Sequence, residues 1–115
     1  MSGEPVGSAL GAQRVRQQLA EGSQLVGGWC HLASPFAAEL VCHAGVDYAV
    51  VDMQHGLTGY SDLVGMLQAI ATTAVIPMAR IPYRDDGLAQ RALDAGCYGL
   101  IVPMVNTPDD ARRAV

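Results

Sequence analysis

Apolar positions along this chain fall into two alternating rhythms. Val15 and Leu19 share one face of a helix predicted over Arg14–Glu21, with Gly22 as its stop. Leu25–Leu32 reads as a strand. Ser34-Pro35 then signals a helix start, because Ser offers an oxygen to free backbone amides and Pro suits the first helical position. Phe36, Leu40, Val41 and Ala44 recur at helical spacing as its predicted core stripe, and Gly45 is the expected left-handed stop. Val46–Asp52 is a nearly continuous apolar run, as in a parallel strand covered on both faces.

A loop over Met53–Tyr60 leads into a helix over Ser61–Ala71, whose stripe is Leu63, Met66, Leu67 and Ile70. Ala74–Ala79 is the third predicted strand, although Pro77 is awkward in a central one. Asp85 or Asp86 caps the next helix, with Leu88, Ala89, Ala92 and Leu93 facing inward and Gly96 as its stop. Gly99–Val102 is the fourth strand, and Thr107-Pro108 repeats the earlier start signal. Strands thus recur about every 25 residues, the period of a βα unit, and argue for a parallel α/β sheet. An open sheet and part of a (β/α)8 barrel both fit. No Gly-rich phosphate loop follows any strand, which weakens a nucleotide-binding open sheet.

At 115 residues the chain makes one domain at most, read as a flexible N-terminal arm over residues 1–12 and a folded part over 13–115. Half the residues are hydrophobic and only 16% are charged, which argues against a disordered chain. No apolar run is long enough for a membrane helix, so no membrane role is expected. The net charge of −4 leaves no basic footprint for nucleic acid. Cys30, Cys42 and Cys97 are too scattered for a paired motif and read as reduced, buried thiols of a cytoplasmic protein. His31 and His43 each follow a cysteine, but one falls at a strand end and the other in a helix, so no shared metal shell is indicated.

The chemistry gathers where strands end. In either architecture the site lies at the C-terminal ends of the strands. Asp52 ends the second strand and His55 follows three residues on; Arg80 follows the third; Trp29, Cys30 and His31 lie near the end of the first. A carboxylate can fix an imidazole's tautomer, a histidine can move a proton near neutral pH, and an arginine can hold a carboxylate and steady an oxyanion.

The residues that carry this reading also carry a resemblance. In order they are Gly28-Trp29, Ser34-Pro35, Ala38-Glu39-Leu40, Ala44-Gly45-Val46-Asp47-Tyr48, Val51-Asp52-Met53-Gln54-His55-Gly56, Ala79-Arg80, Leu93-Asp94-Ala95-Gly96 and Val102-Pro103-Met104-Val105. From about Gln13 to Val115 the chain resembles the N-terminal half of the HpcH/HpaI aldolases, class II pyruvate aldolases of (β/α)8 fold. The resemblance implies a carbon–carbon lyase that reversibly cleaves a 4-hydroxy-2-oxo acid to pyruvate and an aldehyde through a metal-stabilised enolate. It implies His55 as catalytic base, Asp52 as its partner, Arg80 as the group that holds pyruvate and steadies the enolate, and Trp29 as a pocket wall. The residue before the histidine, often Glu in that family, is Gln54 here. The resemblance also implies a homo-oligomer and a divalent metal, Mg²⁺, Mn²⁺ or Co²⁺. The carboxylates that bind the metal belong to later strands, so no metal ligand is expected in this chain. Two other readings remain: a catalytically idle half-barrel that self-associates, and a CoA-ester lyase of the same superfamily. The latter is disfavoured by the scarcity of basic residues for the CoA phosphates.

Overall fold

A computed structural model describes residues 9–115; the first eight residues of the predicted arm lie outside the described part, as do the side chains of residues 9–12. The elements are α1 (Ala9–Ala20), β1 (Gly27–Cys30), α2 (Pro35–Cys42), β2 (Tyr48–Asp52), α3 (Tyr60–Ile70), β3 (Ile76–Arg80), α4 (Asp86–Ala95), β4 (Gly99–Ile101) and α5 (Pro108–Ala114). The first helix therefore begins at Ala9, inside the segment assigned to the arm and ahead of the Arg14 start. The strands are shorter than predicted at most ends because ladder pairing, not apolarity, sets their limits.

The four strands form one parallel sheet in the order β1-β2-β3-β4. Sequential order with helices packed on a single face is the winding of a barrel wall, whereas a doubly wound open sheet has a strand-order switch and helices on both faces. The chain thus has the winding of a (β/α)8 barrel wall over four consecutive βα units. Strand periodicity divides the residues cleanly. Cys30, Ala49, Val51, Ala79 and Leu100 face the helices and join Ala38, Cys42, Leu63, Met66, Leu67, Ile70 and Ala92 in the core. Trp29, Val50, Asp52, Met78, Arg80 and Ile101 share the opposite, barrel-side face by register.

Local chemistry accounts for the element ends. Ser34 caps α2 by accepting from the Ala37 N–H at 3.1 Å, and Gly45 turns the chain with φ +90°. Asp85, not Asp86, caps α4 by accepting from the Leu88 N–H at 2.9 Å. Pro77 does sit inside β3. Its carbonyl accepts from the Tyr98 N–H at 2.9 Å, just ahead of β4, so the missing proline N–H also faces that side, where the ladder has yet to begin.

One predicted stripe is corrected. Phe36 and Leu40 are 69% and 56% exposed, and α2 instead buries Ala38 and Cys42, with Val41 packed against them. The helix lies at the β1 end of the sheet, with α3 beside it on one flank and no described element on the other. Leu93, too, is exposed while Ala92 is buried. All three cysteines are free and buried. No helix among the described residues is long and apolar enough to cross a membrane.

Candidate active site

Asp52 is the centre of the C-terminal rim. It ends β2, where strand alternation turns it to the barrel side, and it is fully buried. Its Oδ1 accepts from the backbone N–H groups of Gln54 and His55, each at 3.0 Å, and from Arg80 Nε at 3.1 Å. Its Oδ2 accepts from Trp29 Nε1 at 3.0 Å and Arg80 Nη2 at 2.5 Å, and His31 Nε2 lies 3.2 Å from the same oxygen. The register explains the convergence: Asp52 stands directly beside Arg80 on β3, and Trp29 on β1 stands beside Val50, two residues back on the same face.

Burial alone would raise the Asp52 pKa. The hydrogen bonds from Arg80, the His55 N–H, Trp29 and the Gln54 N–H outweigh it and hold the carboxyl well below the usual range. Asp52 is therefore ionised at neutral pH with its lone pairs taken. It positions its neighbours and is poorly suited to accept a substrate proton itself.

Arg80 is held side-on through Nε and Nη2, the fork geometry of a strong arginine–carboxylate pair. Two of its five N–H groups are used there, leaving the Nη1 pair and one Nη2 hydrogen directed away from Asp52. Its Cζ lies 5.1 Å from the centroid of the Trp29 ring. The side chain keeps 22% of its exposure, so the free edge can meet a ligand.

The structure thus brings Trp29, Asp52 and Arg80 into direct contact. His55 joins them differently: its backbone N–H, not its imidazole, donates to Asp52, and the residue is exposed. The partnership of Asp52 with His55 thus runs through the backbone in this structure. A tight turn from Asp52 to His55 spends the carboxylate on amides. The imidazole that does reach Asp52 belongs to His31, 58% exposed at the end of β1. Its spacing of two from Trp29 was the signal, since i and i+2 share a strand face.

The rim loop is sewn down. The Leu57 N–H donates to the His31 carbonyl at 3.1 Å, and a Cβ on Gly56 would stand 2.3 Å from the Asp52 carbonyl oxygen. Among the described residues no group of three or more His, Cys, Asp or Glu side chains is placed to hold a metal ion. A hard divalent cation needs oxygen ligands with free lone pairs, and those of Asp52 are occupied. The residues described here do not by themselves fit a metal centre.

Comparison with known proteins gives this geometry its context. Residues 25–115 match the family model described as HpcH/HpaI aldolase/citrate lyase. A hydroxypyruvate/pyruvate aldolase of Deinococcus radiodurans is 38% identical over 100 residues, covering 87% of this chain and 36% of the relative. A 5-keto-4-deoxy-D-glucarate aldolase of Salmonella paratyphi A is 35% identical over 108 residues, covering 94% and 39%. The crystal structure of an HpcH/HpaI aldolase/citrate lyase family protein from Burkholderia cenocepacia superposes with a TM-score of 0.80 at 39% identity, covering 88% of this chain and 40% of that one. The chain accordingly spans about two fifths of the length of these relatives. With the family's sequence pattern running through all four βα units and its fold reproduced, the chain belongs to the HpcH/HpaI aldolase/citrate lyase family.

Proposed function

We propose that this chain carries the 2-oxo-acid-binding rim of a class II pyruvate aldolase, a lyase that reversibly splits a 4-hydroxy-2-oxo acid into pyruvate and an aldehyde. The observation that carries the reading is the Arg80 guanidinium, locked on one edge by Asp52 and free on the other. That free edge presents parallel N–H donors at the spacing of a carboxylate or of a carbonyl oxygen and its neighbour. The names of the relatives, aldolases of hydroxypyruvate, pyruvate and a keto-deoxy sugar acid, support the same substrate class.

In this reading Arg80 binds the 2-oxo acid and Trp29 walls the pocket beside it. His55 takes the proton of the 4-hydroxyl. The C3–C4 bond then breaks, its electron pair forms the pyruvate enolate, and the aldehyde leaves. The negative charge gathering on the C2 oxygen is met by Arg80, already oriented and needing no reorganisation. A bound divalent metal would supply further electrophilic stabilisation, with ligands from outside this chain. The unpaired outer edges of β1 and β4 and the exposed Phe36 and Leu40 support association with further polypeptide, a homo-oligomer included.

The test is solvent deuterium exchange into the pyruvate methyl group, followed by proton NMR with the full chain, with and without Mn²⁺. Exchange or saturable pyruvate binding that disappears in Arg80→Ala, with the fold retained by circular dichroism, is the expected result. A folded chain that neither binds pyruvate nor catalyses exchange would overturn the proposal.

A further inference from the structure

We infer that His31 is a second proton-handling residue, acting on the C3 carbon of the bound 2-oxo acid, while His55 serves the 4-hydroxyl. The inference rests on the reading of Arg80 as the 2-oxo-acid anchor. Two proton transfers are needed in that chemistry, one at the hydroxyl oxygen and one at C3, and they occur at different atoms. The rim has two histidines, and the ring of His31 is the one that reaches Asp52.

His31 and Arg80 reach the same atom, Asp52 Oδ2, at 3.2 Å and 2.5 Å. With Nε2 turned to that oxygen, Nδ1 is the ring nitrogen left open to a ligand. Asp52 thus brings the His31 ring to the carboxylate oxygen that also binds Arg80 Nη2. The ring is 58% exposed, so Nδ1 is open both to a ligand and to solvent, as a site of proton exchange requires. The His31 carbonyl, tied to the Leu57 N–H at 3.1 Å, keeps the backbone beneath the ring in place. The charged groups facing His31 are Asp52 and, through it, Arg80.

In the step itself, Nδ1 of His31 takes a proton from C3. The C–H electron pair becomes the C2=C3 double bond, and the carbonyl pair moves onto the C2 oxygen against Arg80. Return of a solvent-derived deuteron from Nδ1 to C3 completes one exchange. In the cleavage direction the same imidazole, protonated, delivers the proton that turns the enolate into pyruvate.

His31→Gln is the discriminating variant. The glutamine amide can reach Asp52 Oδ2 as the imidazole does but has no basic nitrogen. The readouts are pyruvate methyl exchange in D2O, pyruvate binding by NMR titration, and rescue of exchange by added imidazole in His31→Ala. The expected result is exchange slowed about 10²-fold in His31→Gln, unchanged pyruvate affinity, and partial recovery with imidazole. Exchange in His31→Gln equal to wild type would overturn the proposal, as would slowing in His31→Ala that imidazole does not relieve. A wild-type chain that binds pyruvate through Arg80 without exchanging its methyl protons overturns the role of His31 and leaves the anchor standing. A chain that does not bind pyruvate at all overturns both.

Discussion

Replacing Asp52 by Asn changes almost nothing in volume and removes one charge and one acceptor from the centre of the rim. Whichever way the new amide turns, its NH2 faces donors. Placed at the Oδ1 position it meets the Gln54 and His55 N–H groups and Arg80 Nε; placed at Oδ2 it meets Trp29 Nε1 and Arg80 Nη2. Each buried donor left without an acceptor costs about 1–3 kcal/mol. Removing one partner of a buried ion pair costs about 3–5 kcal/mol. These are two views of one loss and do not add, so Asp52→Asn is expected to destabilise the chain by roughly 3–5 kcal/mol. That is a large part of the roughly 5–15 kcal/mol that holds a domain together. Urea unfolding should show the loss as a lower midpoint at unchanged slope. A loss below about 1 kcal/mol would refute the view that this carboxylate organises the rim.

The pH dependence gives an independent reading of the same variant. The folded-state pKa of Asp52 lies below the unfolded value, set by hydrogen bonds that outweigh burial. Near the unfolded value of about 3.9 the unfolded chain therefore binds more protons. The stability contributed by Asp52 is complete above about pH 5 and is lost as pH falls through the unfolded value toward the folded one. The gap between wild type and Asp52→Asn should accordingly narrow below about pH 4. A gap that stays constant down to about pH 2 would mean that the loss is steric and not ionic.

Gly56→Ala places a Cβ 2.3 Å from the Asp52 carbonyl oxygen and 3.1 Å from that of His31, both backbone atoms that cannot swing aside. Destabilisation of about 1–3 kcal/mol is expected in urea, with weakened pyruvate binding by NMR as the loop moves; a neutral outcome would show that the loop is loosely held. In the dissociated, monomeric chain Phe36→Ser and Leu40→Ser should each shift stability by less than about 0.5 kcal/mol, because both side chains are already exposed there. Leu63→Ala, at a fully buried position, should cost about 2–5 kcal/mol in the same assay. Comparable losses at Phe36 and Leu63 would show that α2 is covered in solution.

The contrast between Phe36 and Leu63 marks the limit of what periodicity can say. Spacing of three and four tells which residues share a helix face, and the α3 stripe of Leu63, Met66, Leu67 and Ile70 is buried as read. It does not tell how much of the sheet stands behind a face. α3 lies between α2 and α4, while α2 has a described neighbour on one flank only, so Phe36 and Leu40 stay exposed. The same logic runs through the site. Asp52 and Arg80 were legible because each closes an apolar run at a strand end, and strand ends of parallel units meet at one rim. That they form a bidentate pair depends on register, which places them side by side on adjacent strands and is fixed by the whole sheet. Histidine was the harder case. His55 drew attention by lying three residues beyond Asp52, yet such closeness in a tight turn favours the backbone amide over the ring, and the amide is what Asp52 binds. His31 is twenty-one residues away in sequence, one residue past β1, and its Nε2 lies 3.2 Å from the carboxylate. A carboxylate at a strand end spends part of its capacity on its own loop, and the side chains it can orient come from neighbouring strands. The imidazole that reaches this carboxylate accordingly comes from just past the end of β1, two residues beyond Trp29, where strand alternation turns it to the same side.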